Sequence, residues 1–112
     1  MRGISLLCLL LGFTACDSDD PDAEFCADVP VLTWENHGMD FVNQNCQPCH
    51  ASTTADRNGA PSSIYFDSVE DVSTWSDQVL ERITGESPTM PPGGGVAEDE
   101  RLKTEIWIRC FL

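Results

Sequence analysis

With 112 residues, nineteen Asp and Glu against six Lys and Arg, and a formal net charge of -13, the chain has room for one small domain and no surface suited to nucleic acid or anionic headgroups. Three Trp, helix-favouring segments and no sustained apolar alternation exclude a sheet-dominated fold and point to an all-α one. The acidity suits a basic docking partner or plain solubility equally well.

Met1-Arg2-Gly3-Ile4 and the apolar run from Ser5 to Phe13 combine one basic residue with a stretch too short to span a bilayer. Ser18-Asp19-Asp20-Pro21-Asp22 follows at once and cannot pack, so residues 1–15 read as an export signal rather than a core helix. Phe13-Thr14-Ala15-Cys16 resembles a bacterial lipobox, with Phe13 where Leu is usual. The resemblance implies that Cys16 is lipidated and becomes the new N-terminus; the alternative is plain cleavage after Ala15, leaving Cys16 free or paired. Processing removes Arg2 and Cys8, so Arg57, Arg82, Arg101, Lys103 and Arg109 face all nineteen acidic residues.

Residues 16–25 are expected to be an acidic tether, and residues 26–112 the folded domain. Thr33 can cap a first helix that carries Trp34, Gly38, Phe41 and Val42 on one face and runs into Cys46. Gly38 lowers propensity there, which suggests that another helix comes close. Residues 51–63 read as a polar loop with Asn58-Gly59 and Ala60-Pro61 turns. Asp67 can cap a short helix with Val69 and Val72, and Trp75, Val79 and Ile83 continue a stripe that stops at Gly85. Residues 87–95 form a Pro- and Gly-rich, non-helical segment. The last helix starts with Glu98, Asp99 and Glu100 and ends near Arg109, as the helix dipole favours, with Leu102, Ile106 and Cys110 on one face.

Cys46-Gln47-Pro48-Cys49-His50 is the C-x-x-C-H pattern of covalent c-type haem attachment. Two thiols three positions apart can each reach a vinyl group, and the adjacent imidazole is brought under the iron. A dithiol redox site would need a βαβ context, which is missing. Zinc would need Cys26, Cys110 or His37 as further ligands, with no paired spacing among them. A simple disulfide between Cys46 and Cys49 is the third alternative.

Electron transfer calls for a second axial ligand, and Met90, Met39 and His37 are the candidates. Met90 leads, because it sits in Ser87-Pro88-Thr89-Met90-Pro91-Pro92, where prolines can hold a loop against the far face of a haem. His37 and Met39 fall on the first helix just before the attachment site, which makes the opposite face hard to reach. Trp34, Trp75 and Trp107 read as core. Tyr65 and Arg57 are candidates for haem propionates and are equally readable as surface residues.

From Trp34 to Cys110 these features resemble the class I small cytochromes c: a helix into the C-x-x-C-H motif, the Met90-Pro91-Pro92 loop, and a closing helix with Trp107-Ile108. The resemblance implies crossed first and last helices around one haem c, thioethers at Cys46 and Cys49, His50 as proximal and Met90 as distal ligand. It also implies one-electron exchange in the periplasm. The short loop region after His50 and the extra pair Cys26 and Cys110 depart from the family pattern. With Cys8 removed, Cys16 lipidated, and Cys46 and Cys49 on haem, Cys26 and Cys110 remain; in the resembled fold their helix ends can meet as a disulfide. The alternative leaves Cys110 buried and Cys26 free.

The expected function is therefore that of a monomeric electron carrier, not an enzyme, held on the periplasmic side of a bacterial membrane by its lipid and docking to a basic patch on redox partners. Two other uses of the same group stay open: a ligand sensor or small peroxidase with a displaceable distal ligand, and a haem relay module docked to a larger oxidoreductase.

Overall fold

The computed structural model describes residues 20–112, and these are helical with no strand. The expected export signal and Cys16 lie outside the described residues.

α1 (Pro21–Phe25) opens on Asp20, whose carboxylate accepts the Asp22 N–H at 3.0 Å, with Pro21 at the first position, where no N–H is needed. The segment expected as tether through residue 25 is thus folded from Asp20 onward. Its partner is Arg109, whose Nε and Nη2 donate to Asp22 Oδ1 at 2.8 and 2.6 Å and whose Nη1 donates to Glu105 Oε1 at 2.7 Å. The same guanidinium lies 3.7 Å from the centre of the Phe25 ring. A run of acidic residues without apolar periodicity can still dock where one arginine receives both a carboxylate and a ring. Cys26 follows α1 and is disulfide-bonded to Cys110, with Cα atoms 5.6 Å apart and 84 positions between them in sequence. Closing a loop of that length restricts the unfolded chain by about 4–5 kcal/mol in the chain-entropy model.

A π-helical turn, Trp34–Gly38, leads directly into α2 (Met39–Asn45). Thr33 caps it as expected: its Oγ1 accepts the Asn36 N–H at 3.2 Å, and Asn36 Oδ1 accepts the Thr33 N–H at 2.7 Å. Asn36 takes the place that Glu or Gln usually fills in this reciprocal arrangement. The helix that comes close at Gly38 is α6 (Glu98–Phe111): a Cβ on Gly38 would lie 2.5 Å from Cζ2 of Trp107. Trp107 is 1% exposed, its ring 6.0 Å from that of Trp34.

α6 buries Thr104, Ile106, Trp107 and Ile108. Leu102, expected on its apolar face, is 49% exposed. The reason is angular: Leu102 precedes Trp107 by five residues, about 140° around a helix of 3.6 residues per turn. Once Trp107 faces Gly38, Leu102 points away.

Between these helices run α3 (Gln47–His50), a polar loop, α4 (Val69–Thr74) and α5 (Ser76–Ile83). Ser68, rather than Asp67, caps α4, since Ser68 Oγ accepts the Asp71 N–H at 3.3 Å and Asp71 Oδ2 accepts the Ser68 N–H at 2.9 Å. Asp67 instead accepts from the backbone N–H and the hydroxyl of Ser52, which holds its carboxyl below the usual carboxylate range. Trp75 breaks the stripe between α4 and α5, and Gly85, at φ 82, turns the chain away afterwards. The core is Val42, Phe66, Val72, Ile83, Trp107 and Ile108, with Trp34, Cys46, Val79 and Met90 packed against it.

Gly38→Ala should cost about 1–3 kcal/mol, because the methyl group overpacks against an immobile indole. Denaturant titration should show an earlier midpoint with an unchanged slope.

Candidate functional site

Cys46 ends α2, donating its N–H to Val42 O at 2.9 Å, and its own carbonyl accepts the N–H of Cys49 at 3.2 Å and of His50 at 2.8 Å. Pro48 lies in the first turn of α3, where its missing donor goes unnoticed. One short turn therefore carries both thiols and the imidazole. Cys46 and Cys49 are unpaired. The disulfide alternative for these two residues is not formed in this structure.

His50 is oriented by a single bond. Its Nδ1 lies 3.0 Å from Ile64 O, and a carbonyl only accepts, so Nδ1 carries a proton, and in the neutral ring the lone pair is on Nε2. This is how a metal-binding histidine is usually held, with the far nitrogen tied to a carbonyl and the near one free to ligate. The Phe66 ring, 5.0 Å from the imidazole, covers it, and the Phe66 N–H donates to His50 O at 2.9 Å. Gln47 Nε2 donates to Phe66 O at 2.8 Å, while Gln47 Oε1 is buried without a partner.

Arg57, weighed above as a propionate partner, is spent on backbone. Nε donates to Ala60 O at 3.2 Å and Nη1 to Ala51 O at 2.7 Å. Nη2 donates to Pro61 O at 2.9 Å and Ile64 O at 2.8 Å. It clamps the loop that delivers the Ile64 carbonyl to His50. Nothing in the spacing of a polar loop announces this role. Tyr65, the other propionate candidate, is 38% exposed.

Met90 is half-buried against the core that also supports Cys46. Its backbone N–H donates to Arg82 O at 3.0 Å, and its carbonyl accepts from Arg101 Nη1 at 3.0 Å; Nη1 also reaches Ile83 O at 3.1 Å. The Met90–Pro91 bond is cis. Arg101 thus moors the Met90 loop to α6. Met39 is 40% exposed. His37 is buried, with Nε2 2.9 Å from Thr104 Oγ1, and burial lowers its pKa. It joins the first helix to α6 and stands apart from the cysteine turn.

The interior beside Cys46 is tightly packed, with a void of about 10 Å³ between residues such as Phe41, Val79 and Ile108, room for one water at most. A macrocycle would have to lie outside this packed interior. Among the described residues no three His, Cys, Asp or Glu side chains gather as a metal site, and Cys26 and Cys110 are tied to each other. The remaining zinc candidate, His37, pairs with Thr104 Oγ1 at 2.9 Å. Among the described residues, no helix is long and apolar enough to cross a membrane.

No protein-family model, no curated protein and no solved structure matches the chain.

Burial pushes the Cys46 thiol up to about 12, the opposite of the depressed value a redox dithiol needs in its attacking cysteine. In the haem-free chain at pH 8, iodoacetamide should label Cys46 on the order of a thousandfold more slowly than a free thiol, in line with its scarcer thiolate. Timed quenching followed by mass spectrometry reads the rate, and denaturant should restore it.

Proposed function

We propose that this chain is an exported, lipid-anchored electron carrier with one covalent c-type haem and the class I small cytochrome c architecture, its first and last helices crossed. The observation that carries the reading is the state of His50: Nδ1–H donated to Ile64 O at 3.0 Å, Nε2 free, directly after two unpaired cysteines on the same turn. The donor set matches the group chemically, since two thiols, one imidazole with a free lone pair and one thioether are what c-type attachment and His/Met ligation require.

Bound haem supplies reversible one-electron chemistry at its iron. The chain's residues hold and shield it. Cys46 and Cys49 provide the thioethers, and His50 Nε2 is the proximal donor, kept in its tautomer by Ile64 O. Met90 would supply the thioether donor, and the mooring of its carbonyl by Arg101 limits how far the loop can swing. A group held by His50 and Met90 together would change charge with little rearrangement of the chain. The acidic surface steers the carrier to a basic patch on its partners. A lipid on Cys16, following the signal in residues 1–15, keeps the domain on the periplasmic face of a bacterial membrane.

Haem should remain with the polypeptide after acidic acetone extraction and denaturing electrophoresis. Complete loss of haem to the solvent would refute the reading.

Met90→Ala should lower the reduction potential, because a thioether stabilises the ferrous state. It should also open the iron to carbon monoxide, whereas the reduced spectrum of the parent protein stays unchanged under the gas. A parent spectrum that shifts would point to a sensor or peroxidase instead of a closed carrier.

A further inference from the structure

The Ile64 carbonyl oxygen has two partners that bear on the same ring. His50 Nδ1 donates to it at 3.0 Å and Arg57 Nη2 at 2.8 Å. The guanidinium cannot drift from this place, since its other bonds to Ala51 O (2.7 Å), Ala60 O (3.2 Å) and Pro61 O (2.9 Å) fix it in the loop. A carbonyl oxygen has two lone pairs, so both bonds can form at once, but they draw on the same electron density.

We propose that Arg57 is a positioning residue for His50, acting through the Ile64 carbonyl to limit the imidazole's electron donation and so to raise the reduction potential. The inference rests on the haem reading above and adds to it a residue that sets the potential. A strong bond from Nδ1–H gives the ring imidazolate character and makes Nε2 a better donor, which favours ferric iron. The permanently charged guanidinium on the same oxygen polarises that acceptor away from the ring. The ring keeps its orientation while its donation falls, and the ferrous state gains. A loop clamp alone would call for bonds to Ala51, Ala60 and Pro61; the fourth bond, to the one carbonyl that orients the ligand, is the contact that links Arg57 to the iron.

The test uses the purified holoprotein and its Arg57→Met and Arg57→Lys variants, followed by reduction potential, melting temperature and the ferrous-state NMR resonance of His50 Nδ1–H. Arg57→Met should keep its covalent haem and its Met90-ligated spectrum, lower the potential, and move the Nδ1–H resonance downfield as the bond to Ile64 O strengthens. Arg57→Lys, which keeps the charge but loses the fork, should shift both in the same direction by less. Potential and resonance at parental values, in a variant that merely melts earlier, would show Arg57 to be a loop clamp only. Should Arg57→Met fail to fold, Arg57→Lys decides by the same two readings. The haem reading fails separately, if the parent protein carries no covalent haem; the Nδ1 resonance of the haem-free chain then still tests the shared carbonyl, and an unmoved signal in the variants overturns it.

Discussion

The approach of Gly38 to Trp107 is the contact on which the rest of the molecule is hung. An indole that is 1% exposed can sit against a helix backbone only where the facing residue has no side chain. That one fit sets the rotation of α6, and the rotation decides which of its residues are buried. It turns Thr104 toward His37 and Ile108 into the core with Val42, and leaves Leu102 in solvent.

The candidate site is held by a different kind of force. Backbone carbonyls do most of the positioning: those of Cys46, Phe66, Ile64 and Ala51 each receive a donor from the cysteine turn or from Arg57. A loop of polar residues has no apolar face with which to fix itself, so its geometry depends on these bonds being satisfied together. The Met90 loop follows the same logic, with Arg101 binding two carbonyls in place of hydrophobic burial. In both segments an arginine holds irregular chain in a defined shape.

The helices were legible because their signals are local. Thr33 as a cap, the acidic first turn of α6 and the stop at Gly85 depend on neighbours a few residues away, and each is where periodicity and capping chemistry put it. The approach at Gly38 could be read from an unfavourable residue inside a helix, although not the identity of its partner. The Cys26–Cys110 bond came from counting cysteines together with the resembled fold. What escaped was long-range or carried by loops. Ser68 outcompetes Asp67 as a cap because Ser52, fifteen residues earlier, already occupies the Asp67 carboxylate. Helical spacing groups Leu102 with Ile106 and Cys110, and of that stripe Ile106 is buried and Cys110 is disulfide-bonded while Leu102, at its N-terminal end, stays exposed. Arg57 carries no local mark of its four carbonyls, and α1 is folded by Arg109, which lies 87 positions away.

That last contact fixes where the start of the described chain sits on the domain. Asp20 already caps a helix docked on α6, and the disulfide at Cys26 welds the same corner of the fold to the end of that helix. Whatever precedes Asp20 therefore leaves the domain from the α1–α6 corner. Under the proposed anchoring at Cys16, this corner would be the one that faces the membrane. Any partner would then meet the faces turned away from that corner.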